Sequence, residues 1–93
     1  MKHGLIIEPI DNVVVVTEDI AKGDVITYTL DGVSYEIRAE GNVPVYHKIA
    51  RADIAKGEKV IKYGQIIGVA TEDIPAGTHV HIHNVKSMSM EVH

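Results

Sequence analysis

The 93-residue sequence contains no cysteine, no tryptophan and no phenylalanine. Without cysteine there are no disulfide staples, no thiolate nucleophile and no cysteine-ligated zinc site. With tyrosine as the only large aromatic, any core must be built from Ile and Val, whose restricted χ1 favours strands. Long hydrophobic runs are also missing. The apolar stretch Leu5 to Ile7 ends at Glu8-Pro9, too short for a signal-peptide core or a membrane span, so a cytoplasmic location is expected. No glycine-rich run precedes a helical pattern, and nothing places a serine in a nucleophile elbow. Excess positive charge is absent too: the net charge of −4 argues against a nucleic-acid platform.

What is present suits one small domain. An apolar fraction of 45% is ample for a core and excludes disorder as the default reading. The length allows a single domain over residues 1–93, with a core of about residues 5–86 and a tail at 87–93. Charge is uneven. From Val43 to Lys62 five bases (Lys48, Arg51, Lys56, Lys59, Lys62) face two acids (Asp53, Glu58), giving +3 there and −7 elsewhere. Such a patch fits a small anionic ligand or an acidic partner, or is an ordinary mixed surface.

An internal repeat organises the chain. Asp19-Ile20-Ala21-Lys22-Gly23, Asp53-Ile54-Ala55-Lys56-Gly57 and Asp73-Ile74-Pro75-Ala76-Gly77 share the skeleton Asp-Ile-x-x-Gly-x-x-Val/Ile. Asp can accept from nearby backbone amides, Ile can anchor the turn, and Gly supplies positive φ before a strand begins. The unequal intervals, 34 and 20 positions between the Ile residues, favour a compact domain reusing one turn over an open solenoid.

Between the turns lie short strand patterns: Asn12 to Val16, Val25 to Leu30, Val33 to Arg38, Gln65 to Thr71 and His79 to Val85. Asp31-Gly32 is a strong hairpin signal, placing Ile26, Tyr28 and Leu30 on one face with Val33, Tyr35 and Ile37. Tyr63-Gly64 marks a second turn. His47 to Ala52 is the one place where a helical turn is expected, and Lys86 to His93, with Met88 and Met90, reads as a final edge strand or a partner contact. The fold class is all-β or nearly so.

The chemistry-bearing residues are histidines. His79-Val80-His81-Ile82-His83-Asn84 alternates, so a strand would put three imidazoles on one face and Val80 and Ile82 in the core. That face is either a wet edge, a lining for a hydroxyl- or carboxylate-bearing ligand, or, through His81 and His83, part of a metal site for which the sequence places no third ligand nearby. His47-Lys48, after Pro44, adds a titratable ring and a positive charge.

Taken together, the Asp-Ile-x-x-Gly turns, His47-Lys48-Ile49-Ala50, Lys62-Tyr63-Gly64-Gln65-Ile66-Ile67-Gly68 and His79 to Asn84 resemble the SAF-type domain of the altronate and galactarate dehydratase family. The resemblance covers residues 5 to 86, and the last hexapeptide is its most specific element. It departs at Tyr46, where the family pattern has glycine.

The resemblance implies a β-clip-like fold. It also implies a role as the small accessory subunit, or domain, of a sugar-acid hydro-lyase that is inactive alone. The divalent metal and main acid–base groups would then belong to a large dehydratase subunit, with no cofactor and no catalytic residue in this chain. The implied substrate contacts, toward a sugar acid or other hydroxy-carboxylate, are His47, Lys48, His81, His83 and Asn84. Two alternatives remain open: the small subunit of a sulfolactate sulfo-lyase, and a stand-alone module binding a small acid or a metal. Self-association into a homo-oligomer is also left open.

Overall fold

The computed structural model describes residues 1–87, and the expectations for Met88 and Met90 lie outside those residues. Among the described residues nine strands run in chain order: β1 (Lys2–Leu5), β2 (Val13–Val16), β3 (Val25–Leu30), β4 (Val33–Arg38), β5 (Lys48–Ala50), β6 (Lys59–Lys62), β7 (Gln65–Ala70), β8 (His79–Val80) and β9 (Val85–Ser87). No helix occurs among the described residues, so the fold is all-β. One sheet has the order β4-β3-β1-β2-β5-β8, and the other β6-β7-β9. Among the described strands only the β1–β3 pairing is parallel.

The Val run of β2 is the divider of the molecule. All four of its residues are buried, and the two-residue period of a strand sends them to opposite faces. Val14 and Val16 enter a core with Ile20, Ile26, Tyr28, Leu30, Val43 and Ile49. Val13 enters a second core with Ala50, Ile54, Val60, Ala70, Ile74 and Val80. Neighbouring β5 divides the same way, Ile49 to the first core and Ala50 to the second.

The Asp31-Gly32 hairpin forms with the expected register, pairing Ile26 with Ile37, Tyr28 with Tyr35 and Leu30 with Val33. Both turn residues have positive φ (52° and 79°), the signature of a two-residue hairpin turn matched to strand twist. Its shared apolar face is only partly buried. Val33 is 52% exposed, and Tyr35 stacks on Tyr28 at 5.3 Å between ring centroids, under the Arg51 guanidinium.

The repeat is fourfold rather than threefold. Ile20 bridges Val43, and Ile54 bridges Ile74. Asp53 Oδ1 accepts from Ala76 N, and Asp73 Oδ1 accepts from Lys56 N, both at 2.9 Å. The same exchange occurs in the first half, where Asp19 Oδ1 accepts from Val45 N (2.9 Å) and Asn42 Oδ1 from Lys22 N (3.0 Å). Asn42-Val43-Pro44-Val45-Tyr46 is therefore a further copy, with Asn for Asp, Val for Ile and Tyr for Gly.

Tyr46 accordingly has φ 67°, beside 91°, 90° and 87° at Gly23, Gly57 and Gly77. A bulky residue in this region is uncommon, and its side chain is 74% exposed. Glycine is the residue that this backbone position favours.

Two sequence expectations are corrected here. His47 to Ala52 is not a helical turn. His47 N donates to Pro44 O (3.0 Å), closing the turn copy, and the chain enters β5 between β2 and β8. His79 to Val85 is not one strand either. It is interrupted after Val80, because the chain changes sheets there: β8 pairs with β5, and β9 pairs with β7 as an edge strand.

Candidate functional site: a histidine cluster beside a basic cleft

The turn copies deliver the site. The copy ending at Tyr46 releases His47 and Lys48, and the copy ending at Gly77 releases Thr78 and His79. Because β5 and β8 are antiparallel neighbours, with Lys48 opposite Val80 and Ile49 opposite His79, the two exits lie side by side. His47 Nδ1 and His79 Nε2 are 2.9 Å apart, a hydrogen bond in which one ring supplies N–H and the other a lone pair.

The break after β8 then folds the remaining histidines back over this pair. Asn84 is responsible. Its Oδ1 accepts from His81 N and its Nδ2 donates to His79 O, both at 2.9 Å, while its own N–H donates to His81 O at 3.0 Å. His81 comes to 4.4 Å from His47 and 5.6 Å from His79, centroid to centroid, and His83 to 5.2 Å from His79.

The environment disfavours protonation. Burial, then the neighbouring His47, His83, His81 and Lys48, push the His79 pKa down to about 4. Burial and the positive potential of His47, Lys48 and His83 lower His81 as well. Both rings are neutral at pH 7 and present lone pairs. The Lys48 ammonium is also held below its ordinary pKa by burial and by Lys62.

Lys48, Lys62 and His81 line one side of a cleft of about 260 Å³, and Ile67, Ile82 and Val85 give it an apolar flank. Lys62 was not singled out by the sequence as a site residue; the +3 charge of its segment was its only signal. Arg51, from the same basic segment, serves structure instead, donating to Tyr28 Oη, Pro9 O and Asp11 O. Two larger clefts lie at the paired turns, lined by Asp19 and Asn42 in one and Asp53 and Asp73 in the other. Those side-chain oxygens already accept backbone amides.

The sequence-derived candidates therefore separate. His81 meets Lys48 at the cleft and His47 in the ring cluster, and exposed His83 flanks His79. Asn84, expected as a ligand contact, is 1% exposed with both amide atoms engaged in positioning the turn that carries His81. Ile82, expected as a core anchor, is 84% exposed at the turn's tip. The alternation that suggested burial ends at Val80. His79, the most perturbed ring, belongs to the cluster but was not among the expected contacts.

Comparison with known proteins agrees with this pattern. Over 81 residues, 87% of the chain, it is 44% identical to the altronate dehydratase of Escherichia coli, of which the match covers 16%. Against the altronate dehydratase of Bacillus subtilis the values are 38% identity, 94% of this chain and 17% of that protein. The chain thus spans only about a sixth of these enzymes. Against the (2R)-sulfolactate sulfo-lyase subunit alpha of Chromohalobacter salexigens, identity is 38% over 80% of this chain and 81% of that subunit. The family model for the altronate/galactarate dehydratase SAF domain matches residues 2–88, and the chain belongs to that family.

Proposed function

We propose that this chain is a small accessory subunit, or domain, of a cytoplasmic sugar-acid dehydratase of the altronate/galactarate type. It covers and helps bind a hydroxy-carboxylate at the site of a larger catalytic subunit, which holds the divalent metal. The observation that carries this reading is the convergence of Lys48, Lys62 and His81 on one small cleft beside a histidine cluster. Two ammonium groups complement a carboxylate, and neutral imidazoles can donate to and accept from hydroxyls. Lys48, His47, His81 and His83 are the contacts in this reading, and Asn84 fixes their geometry.

A second reading, the small subunit of a sulfolactate sulfo-lyase, is favoured by the 81% coverage of one such alpha subunit. It uses the same cleft, since a sulfonate is also an anion. The test reconstitutes the chain with a large subunit of the altronate/galactarate dehydratase type. Loss of water from altronate and galactarate and release of sulfite from sulfolactate are then measured. The chain alone should turn over none of these, the assembled pair should act on one, and steady turnover by the purified chain alone would overturn the accessory role.

A further inference from the structure

The geometry points to a transition-metal site within this chain, formed by His47, His79 and His81. One ring nitrogen from each lies within 4.8 Å of the other two, and His47 Nδ1 and His79 Nε2 are already at 2.9 Å. Metal–imidazole bonds of about 2.0–2.1 Å place tetrahedral ligand nitrogens roughly 3.3–3.5 Å apart. The trio therefore reaches that spacing by opening one contact slightly and closing the others.

Two further observations support the assignment. The rings come from two sources, the start of β5 and the β8 exit, so the backbone fixes their relative positions. The turn carrying His81 is locked by buried Asn84, which hydrogen-bonds both His81 N and His79 O.

The donor set defines the metal class. Three imidazoles suit Zn²⁺, Co²⁺, Ni²⁺, Fe²⁺ or Cu²⁺, whereas Mg²⁺ and Ca²⁺ require oxygen donors that this trio lacks. Three protein ligands leave at least one position open. Lys48, next to His47 and paired with Val80 between His79 and His81, repels a cation and favours an anionic group in that position. A carboxylate oxygen is the matching fourth ligand. This site does not depend on the accessory-subunit reading, because it is assigned to the chain alone.

Metal binding by the purified chain tests it directly. Zn²⁺ titration calorimetry and the visible spectrum of bound Co²⁺ should both report one saturable site. His47→Ala, His79→Ala and His81→Ala should each weaken Zn²⁺ at least about tenfold, since even outer-shell partners of metal ligands are worth 10–100-fold. His3→Ala and His93→Ala should leave affinity unchanged. Zn²⁺ should also raise the melting temperature of the natural chain but not of His81→Ala, whose ring sits on a turn outside both cores. That comparison decides the matter even if His47→Ala or His79→Ala fails to fold. Absence of saturable binding, equal binding by His81→Ala, or loss of binding with His3→Ala or His93→Ala overturns the site.

Discussion

Asn84 lies within three positions of His81 and His83 in sequence but is opposite to them in role. The Asn84 amide is buried and exchanges hydrogen bonds with His81 N and His79 O. Removing it leaves a part-buried donor and acceptor without these partners, at about 1 kcal/mol or somewhat more. Asn84→Ala should therefore lower the melting temperature of the isolated chain and impair the assembled enzyme together. His83 is exposed and its ring lies outside both cores, so His83→Ala should stay within about 0.5 kcal/mol of the natural stability. His81→Ala should do likewise in the absence of metal. If these rings touch substrate, turnover by the assembled enzyme should still fall by the equivalent of about 1–3 kcal/mol in kcat/KM. Unchanged turnover in both variants, measured with the large subunit, would make the cluster irrelevant to catalysis.

Turn copies set the folding constraints at the level of the element. Gly23, Gly57 and Gly77 share positive φ, yet a Cβ at Gly23 or Gly57 meets nothing within 4 Å, whereas at Gly77 it would collide with Arg38 O. Gly57→Ala should cost only the left-handed backbone strain, about 1–2 kcal/mol. Gly77→Ala should cost clearly more, because the struck atom is backbone and cannot rotate away. Denaturant melts of the two variants give the comparison, and equal losses would show that the segment around Arg38 yields. Tyr46→Gly tests the fourth copy: it relieves that strain while adding about 0.5–1 kcal/mol of unfolded-state entropy. Stability should hold or rise slightly, provided the exposed ring contributes no packing.

The repeated turns and the Asp31-Gly32 hairpin were readable because each is local: spacing and residue type decide them within a few positions. The copy at Asn42 escaped the Asp-Ile-Gly pattern, since every marked position carries a substitute that performs the same task. The break after Val80 was unreadable for another reason. Alternation continues through His83, and only tertiary pairing, β8 to one sheet and β9 to the other, ends the strand. The same limit applies to the cluster itself, because 32 positions separate His47 from His79 and a β5–β8 pairing closes the gap.

At the scale of the whole molecule, the two sheets are joined at Asp11, which is 2% exposed. Its carboxylate accepts from Ile7 N and Glu8 N in the β1–β2 connection and from Gly64 N (2.7 Å) in the β6–β7 turn. Burial alone would raise its pKa, but amides of Glu8, Gly64, Ile7 and Tyr63 together outweigh burial and hold it below its ordinary value of 3.8. A carboxyl more acidic in the folded state stabilises the fold at pH above its unfolded value. That contribution is lost as pH falls through the lower, folded value. Asp11→Asn keeps the size of the side chain but replaces one acceptor oxygen with an amide donor facing backbone N–H groups. At neutral pH it should lose roughly 1.5–3 kcal/mol, the range for hydrogen bonds to a charged group. As pH falls below 3.8 and on through the lower folded value, the natural chain takes up a proton at Asp11 and loses that charge, so the gap between the two proteins should narrow. Urea melts of both from pH 7 down to pH 2 measure that gap, and every other carboxyl is common to both chains. A gap that stays constant throughout would mean that the joint between the sheets depends on the shape of the Asp11 side chain and not on its charge.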